Sequence, residues 1–182
     1  NETFADYLAE PRVLRVARAM LDTHVRILQT EVNKSSRPAE QPLSEEQLRR
    51  RSWHSDWPHD LTAYGPSSEE PWKHCGAVAQ PFPDVCMALS TIWYLGPKDV
   101  TPFNGGTWIV PGSHKAAFDR PETLFNDGMM AVLDDLPAGV VNVTPRMGDV
   151  IVMTEMLAHG TLQWKPTDRQ RRTLVLRYRP QY

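Results

Sequence analysis

The segment "RRTLVLRYRP" (residues 171–180) is the clearest strand in this chain and indicates its fold class. Apolar and polar residues alternate along it, as expected of a strand that separates two environments. One face would carry Arg171, Thr173, Val175 and Arg177, and the other Arg172, Leu174, Leu176 and Tyr178. Each face mixes arginine with other residues, so we expect at least one arginine of this strand to be partly buried.

Three segments upstream have the composition of further strands. They are "VCMALSTIWYL" (85–95), "GTWIVPGSH" (106–114) and "GDVIVMTEM" (148–156). No helix of adequate length separates these later strands, which argues against alternating β-α-β units. The stretch 115–142 is interrupted by proline and glycine and predicts a lid-like loop. Strands at uneven spacing with long loops between them favour an antiparallel sandwich or jelly roll.

The N-terminal part of the chain is predicted to be helical before it becomes extended. Residues 3–27 begin with helical spacing, and an apolar face recurs from Val13 to Leu21. The segment "HVRILQTEV" (24–32) then alternates with period two, which predicts a strand. One face of that strand would carry Val25, Ile27, Gln29 and Glu31. Residues 34–50 contain two prolines and many charges and predict an exposed insertion.

The length of 182 residues suits one mainly β domain over residues 1–182, with supporting helices in residues 1–24. A hydrophobic content of 41% and a charged content of 23% are ordinary for a soluble globular protein. The chain begins at Asn1 inside a predicted helix, so we expect an upstream segment to be missing from it.

Charge and cysteine content narrow the possible partners and setting. A net charge of −2 and a pI near 6.3 indicate no surface for nucleic acid or an anionic membrane. No apolar run approaches the roughly 18 residues that cross a bilayer. Cys75 and Cys86 do not form a CxxC pair, which favours a reducing, cytoplasmic setting. We expect a monomer or homodimer.

The segment "WHSDWPHDL" (53–61) contains the strongest candidate metal ligands. An H-x-D pair on extended backbone points both side chains to one side, so His54 and Asp56 can reach the same ion. His159 in "MLAHGT", where it would close an apolar strand, can supply the third ligand. Two histidines and one carboxylate leave coordination positions open, which is typical of non-haem Fe(II) oxygenases.

Other functions compete with this interpretation. An arginine of strand 171–180 could bind a carboxylate through paired charge-assisted hydrogen bonds, or the arginines could be solvated on an edge strand. The protein could be a catalytically inactive binding or scaffold protein. A zinc hydrolase using His54, Asp56 and His59 would leave Arg171 without a role. Ser55 lacks the G-x-S-x-G context of a serine hydrolase.

Four segments together resemble the phytanoyl-CoA dioxygenase family, in its ectoine hydroxylase-like, natural-product branch. They are "WHSDW" (53–57), "NGGTWIVPGSHK" (104–115), "GDVIVMTEMLAHGT" (148–161) and "RRTLVLRY" (171–178). The segment "LQTEVN" (28–33) is also similar to the strand that precedes the H-x-D motif in that branch. The resemblance implies a double-stranded β-helix (a cupin-like jelly roll) with N-terminal helices packed outside.

The resemblance also implies roles for individual residues. His54, Asp56 and His159 would bind Fe(II). Arg171, or Arg172 because the spacing varies, would bind the distal carboxylate of 2-oxoglutarate. The other residues near this cosubstrate would be Thr161, Gln29 and, as second choice, Asn33. Contacts to the substrate would come from Trp57 and His59, whereas His114 would be structural.

The implied function is that of an Fe(II)/2-oxoglutarate-dependent dioxygenase acting on a small molecule, with hydroxylation as the first choice. It would consume O₂ and release succinate and CO₂, and its setting would be secondary metabolism. Related halogenases replace the carboxylate ligand by a small residue, so the intact Asp56 argues against halogenation. Desaturation, epimerisation and ring formation use the same ligands and stay open.

Overall fold

The computed structural model describes residues 2–36, 86–97, 100–101, 105–115, 139–162, 164 and 166–181. This part of the chain forms two helices, α1 (Glu2–Leu8) and α2 (Pro11–Met20), followed by seven strands. The strands are β1 (Val25–Ser35), β2 (Leu89–Gly96), β3 (Gly106–Ile109), β4 (Val141–Val143), β5 (Val150–Thr154), β6 (His159–Leu162) and β7 (Arg171–Pro180). None of the described helices has the length and apolar character needed to span a membrane.

The described strands form two antiparallel sheets. The four-stranded sheet has the order β1-β7-β2-β5, and the three-stranded sheet has the order β4-β3-β6. Strand β7 lies at the centre of the larger sheet, between β1 and β2. The predicted helical start and the strands expected within 85–95, 106–114, 148–156 and 171–180 are confirmed.

The helices cover one face of the four-stranded sheet, which we call the outer face. Val13 and Ala17 are one helical turn apart on α2 and are both buried against this face. The sheet contributes to the same cluster the buried side chains of Leu89, Trp93, Leu174, Leu176 and Tyr178. The ring of Tyr7 meets Trp93 edge-on, with ring centroids 5.2 Å apart. Each large apolar side chain buried here contributes about 1.5–3 kcal/mol.

A bulge in β1 changes which of its residues face inward. Ile27 pairs with Tyr178 and Gln29 pairs with Arg177, so Leu28 is an extra residue in the ladder. The prediction that Ile27 and Gln29 share a face is therefore wrong. Ile27 packs with the outer-face cluster, whereas Gln29 joins the opposite, inner face together with Arg177.

The inner face of the four-stranded sheet looks toward the three-stranded sheet. Tyr94, Val100 and Trp164 form a second buried cluster there, with Ile92 and Ile151 packed against it. The Tyr94 hydroxyl lies 2.8 Å from Thr107 Oγ1 of β3, so the two sheets are in direct contact. The same space contains His159 and Arg171, two of the polar side chains that the sequence singled out.

Two predicted elements differ from the structure. His159 does not close the strand before it: β5 ends at Thr154, and His159 begins β6. The amide of Leu157 donates to the Thr154 carbonyl at 3.1 Å, which closes a turn between the two strands. The end of the predicted lid-like loop 115–142 belongs to strand β4 (Val141–Val143), and residues 116–138 lie outside the described part. Strand β1 reaches Ser35, so the predicted insertion 34–50 overlaps its end, and residues 37–50 lie outside the described part.

Candidate active site

His159 is a buried histidine whose tautomer is set by the backbone. Its side chain is 6% exposed, and Nδ1 lies 2.8 Å from the Leu157 carbonyl oxygen. A carbonyl oxygen only accepts, so Nδ1 carries the hydrogen and donates it. The lone pair is then on Nε2, which is the atom that a metal ion would use. This arrangement fits the predicted ligand role of His159.

The segment preceding His159 is held by the turn that follows β3. Ser113 Oγ accepts the amide hydrogen of Ala158 at 2.8 Å, and the Val110 amide donates to the Ala158 carbonyl at 3.0 Å. Ser113 itself is only 6% exposed. Ser113 belongs to the segment "NGGTWIVPGSHK" (104–115), whose local pattern does not predict a contact with the strand of His159. Only the folded structure brings residues 113 and 158 together.

Thr161 lies on the same side of β6 as His159, because alternate residues of a strand share a face. It pairs across the sheet with Thr107, which contacts the Tyr94 hydroxyl. Burial raises the pKa of Tyr94, and the hydrogen bond to Thr107 and the positive charge of Arg171 oppose this increase. Tyr94 is therefore a neutral phenol at the centre of the inner space, a residue that the sequence did not indicate.

Arg171 is a buried guanidinium on the inner face. It is 8% exposed; Nη2 donates to Ser35 Oγ at 3.3 Å, and Nη1 donates to the Gly106 carbonyl at 3.4 Å. Arg172 is exposed and lies on the opposite side of the strand. Of the two arginines considered for the cosubstrate, the structure thus places Arg171 beside Tyr94 and Arg172 away from it.

Gly105 permits a close contact beside Arg171. A Cβ at this position would lie 2.7 Å from Trp164 Cε3 and 3.7 Å from Arg171 Nη1. The backbone φ of +155° is also one that other residues rarely adopt. The indole N–H of Trp164 donates to the Arg169 carbonyl at 2.8 Å, which fixes the ring. Gly105, the first glycine described in "NGGTW", therefore has a packing role next to the guanidinium.

Gln29 and Asn33 occupy different levels of the inner face. Asn33 is half-buried opposite Thr173, two residues along β7 from Arg171, which is about 7 Å at the usual rise of a strand. Gln29 is exposed opposite Arg177, six residues or about 20 Å along β7 from Arg171. The structure thus places Asn33, and not Gln29, close to the buried arginine.

Glu155 is a buried carboxylate in the turn between β5 and β6, and no sequence pattern predicts its burial. It is 1% exposed and lies 3.7 Å from Arg177 Nη1 and 3.6 Å from Arg179 Nη2. The Ser90 hydroxyl donates to the same carboxylate at 3.5 Å. These contacts join the turn that leads to His159 to strands β7 and β2.

Several predicted site residues lie outside the described residues. These are His54, Asp56, Trp57 and His59. Within the described ranges, no three histidine, cysteine, aspartate or glutamate side chains form a group that could hold a metal ion. His114 is described and half-buried, at the end of the turn that contains Ser113. Its predicted structural role stays a prediction.

Solved structures with the same fold cover this chain almost completely. HygX from Streptomyces hygroscopicus, crystallised with nickel, 2-oxoglutarate and hygromycin B, is 20% identical with a TM-score of 0.67, over 100% of this chain and 66% of HygX. HygX has also been crystallised with iron. The non-heme alpha ketoglutarate dependent epimerase SnoN from nogalamycin biosynthesis is 19% identical with a TM-score of 0.57, over 99% of this chain and 59% of SnoN.

A third structure, EvdMO1, is 23% identical with a TM-score of 0.57, over 97% of this chain and 32% of that protein. This chain therefore spans between about a third and two thirds of the length of these proteins. At these identities the likeness establishes the jelly-roll fold. No curated protein matches the sequence. The family model described as phytanoyl-CoA dioxygenase (PhyH) matches residues 1–173, and the chain belongs to that family of Fe(II)- and 2-oxoglutarate-dependent oxygenases.

Proposed function

We propose that this protein is a non-haem Fe(II)/2-oxoglutarate-dependent dioxygenase that hydroxylates a small molecule of secondary metabolism. The observation that carries the proposal is the placement of two buried polar side chains, His159 and Arg171, in the space between the two sheets. Desolvating an imidazole and a guanidinium is costly, and here both side chains, each held by hydrogen bonds, face the same space. Their chemistry suits a metal ion and a carboxylate, respectively.

His54, Asp56 and His159 are proposed to hold the iron. Among them, only His159 lies within the described residues, and its Nδ1–H···O=C hydrogen bond directs the Nε2 lone pair toward a ligand role. Iron, when bound, supplies the activation of O₂ and the oxidation of the substrate, with 2-oxoglutarate converted to succinate and CO₂. A set of two histidines and one carboxylate would leave coordination positions for the cosubstrate and O₂.

Arg171 is proposed to bind the distal carboxylate of 2-oxoglutarate. A guanidinium can donate two parallel hydrogen bonds to a carboxylate, and the existing bonds to Ser35 and Gly106 hold it in orientation. Thr161 is proposed to donate its hydroxyl to the same cosubstrate. Asn33 becomes the preferred amide contact and Gln29 the second choice, because Asn33 lies nearer to Arg171 along the sheet.

The substrate is proposed to be a small natural product that reaches the site past Trp57 and His59. Two proteins of similar fold support this class, since one was crystallised with hygromycin B and another acts in nogalamycin biosynthesis. The intact Asp56 favours oxidation over halogenation. Epimerisation is the second candidate because SnoN is an epimerase. The ectoine hydroxylase-like branch, the cytoplasmic setting and the monomeric or homodimeric state remain predictions.

Succinate formation from 2-oxoglutarate tests this function directly. The purified protein should form succinate only when both Fe(II) and O₂ are present, and Asp56→Ala and His159→Ala should abolish it. His114→Ala is the matched control and should retain turnover, because His114 is not a proposed ligand. Turnover that is absent in the wild type with every candidate substrate would favour a scaffold protein. Hydrolytic activity with zinc alone would support the hydrolase instead.

A further inference from the structure

One peptide group links Ser113 to the ring of His159. The peptide between Leu157 and Ala158 donates its N–H to Ser113 Oγ at 2.8 Å. Its carbonyl oxygen accepts the Nδ1–H of His159, also at 2.8 Å. Ser113, Ala158 and His159 are all at most 6% exposed, so water does not compete strongly for these bonds. The hydroxyl, the peptide and the imidazole thus form one continuous chain of hydrogen bonds.

Hydrogen bonds in such a chain polarise one another. Donation of the Ala158 N–H to Ser113 increases the negative charge on the Leu157 carbonyl oxygen of the same peptide. A stronger acceptor at that oxygen holds the hydrogen on Nδ1 of His159 more firmly. The ring is then fixed in the tautomer with its lone pair on Nε2, and that nitrogen becomes a better electron donor.

We propose that Ser113 is a positioning residue that acts through the Leu157–Ala158 peptide to keep His159 in its metal-binding tautomer and to strengthen metal binding. The inference rests on the proposed role of His159 as a ligand. It deepens that role by assigning a function to the serine of the "VPGSH" segment.

The turn around Ser113 does not depend on the hydroxyl for its own closure. The Ser113 amide donates to the Val110 carbonyl at 3.2 Å, and the Lys115 amide donates to the Gly112 carbonyl at 3.0 Å. We expect these backbone bonds to persist when Ser113 is replaced by alanine, because neither of them involves the hydroxyl. The substitution therefore removes the contact to Ala158 and leaves the hydrogen bonds that form the turn.

Metal affinity of the apoprotein is the first measurement. Titration of Ni(II), followed by calorimetry, compares wild type with Ser113→Ala, Ser113→Cys and Ser113→Thr. We expect Ser113→Ala to bind about 3–10-fold more weakly, which is less than the roughly 10–100-fold loss that follows removal of a direct hydrogen-bond partner of a metal ligand, because Ser113 acts through the peptide. Ser113→Thr retains the hydroxyl and should bind as wild type does, and Ser113→Cys, a weaker acceptor, should fall between.

Thr91→Val is the matched control. The Thr91 hydroxyl is also buried and donates to the Leu176 carbonyl at 3.1 Å, but it lies on the outer face of the sheet. Its loss should lower stability without changing metal affinity. The comparison separates a general effect of removing a buried hydroxyl from an effect on His159.

The tautomer of His159 is the second measurement. In protein labelled with ¹⁵N-histidine, the apo wild type should show His159 protonated at Nδ1, and Ser113→Ala should show a mixture of the two tautomers. An Nε2–H tautomer in the wild type would overturn the inference. A folded Ser113→Ala variant with the same His159 tautomer and the same Ni(II) affinity as the wild type would also overturn it. If Ser113→Ala does not fold, a Ser113→Cys variant that binds Ni(II) as tightly as the wild type would overturn the inference instead. Wild-type protein that binds no Ni(II) or Fe(II) would contradict the proposed function as well, whereas binding that is insensitive to Ser113 contradicts only this inference.

Discussion

The guanidinium of Arg171 donates to the backbone carbonyl of Gly106 at 3.4 Å and so joins the four-stranded sheet to the three-stranded sheet. The arginine is 8% exposed, and its other terminal nitrogen donates to Ser35 of the neighbouring strand. Both terminal nitrogens of this long cationic side chain are hydrogen-bonded, so the side chain has lost most of its rotamer freedom before any ligand binds. An anion that binds there meets a group that is already oriented.

Arg171→Ala is therefore expected to weaken binding of 2-oxoglutarate. Hydrogen bonds to a charged group are worth about 1.5–3 kcal/mol, which corresponds to a roughly 10–150-fold higher Kd. Arg171→Lys should recover only part of the affinity, because an ammonium group cannot make the paired contact. Titration of the Ni(II)-loaded protein with 2-oxoglutarate measures both.

Arg172→Ala is the control for this experiment, since Arg172 is exposed on the opposite side of the same strand. It should bind 2-oxoglutarate as the wild type does. If Arg172→Ala weakens binding and Arg171→Ala does not, the assignment of the cosubstrate arginine is wrong.

Gly105→Ala is expected to disturb the packing around Arg171. The new methyl group would overlap the Trp164 ring, which has to move, and it would also lie 3.7 Å from Arg171 Nη1. Overpacking of this kind costs about 1–3 kcal/mol. Gly139→Ala is the control, because Gly139 also has a positive φ of 84° but open space around it.

Chemical denaturation should show a greater loss of stability for Gly105→Ala than for Gly139→Ala. Only the former should also raise the Kd for 2-oxoglutarate. Equal losses of stability in the two variants would mean that backbone strain, and not the contact with Trp164, explains the need for glycine at position 105.

The sequence was sufficient to predict the strands but not to predict which face of each strand points toward the helices. Alternation in residues 171–180 separated Arg171 from Arg172, yet it did not indicate which face is covered by helices. That information comes from Val13 and Ala17, which pack on the Leu174 side and leave Arg171 inside. The choice between the two arginines depends on a contact across more than 150 residues, which local patterns do not contain.

The bulge at Leu28 shows a different limit. The apolar and polar residues of β1 are compatible with either phase, so the pattern alone does not reveal an extra residue in the ladder. Pairing with β7 decides it, since Ile27 lies opposite Tyr178 and Gln29 opposite Arg177. The shift places both Gln29 and Asn33 on the inner face, and Asn33 is the nearer of the two to Arg171 because it lies four residues further along β1.

The turn before His159 could not be predicted from the sequence for a similar reason. The segment "VIVMTEMLAH" (150–159) contains no glycine or proline, the residues that usually indicate a turn. Glu155 interrupts the apolar run, but its burial depends on Arg177 and Arg179, which are more than 20 residues downstream. The histidine could be proposed as a ligand from its motif, whereas its position at the start of a strand could not be predicted.

Stability at high pH should depend on Tyr178. Burial raises the pKa of its phenol from 10 to about 12 in the folded protein. Between these values the unfolded chain loses the proton while the folded protein keeps it, so the free energy of unfolding falls as pH rises from about 10 to 12. Tyr178→Phe lacks this proton, and its stability should decline less over the same range.

Urea denaturation at pH 8, 10 and 11.5 gives the free energy of unfolding of the wild type and of Tyr178→Phe. The difference between the two proteins reports on Tyr178, because other titrating groups such as Tyr94 contribute equally to both. At pH 8 the variant should be slightly less stable, because the hydroxyl donates to the Leu8 carbonyl at 3.4 Å. Parallel declines of the two proteins would show that Tyr178 ionises equally in the folded and unfolded states.

Glu155→Gln is expected to destabilise the protein and to loosen the strand that carries His159. The substitution removes a buried negative charge from two arginines whose side chains are 21% and 30% exposed. Removing one partner of a fully buried pair costs about 3–5 kcal/mol, and partial solvation of these arginines reduces the expected loss to about 1–3 kcal/mol. Asp168→Asn is the control: its carboxylate pairs with Arg169 at 3.2 Å but is 71% exposed, so the loss should be below about 1 kcal/mol.

Because Glu155 lies in the turn that leads to β6, Glu155→Gln should also weaken Ni(II) binding, and Asp168→Asn should not. A Glu155→Gln variant that loses stability but binds Ni(II) as tightly as the wild type would show that the ion pair stabilises the sheet without positioning His159.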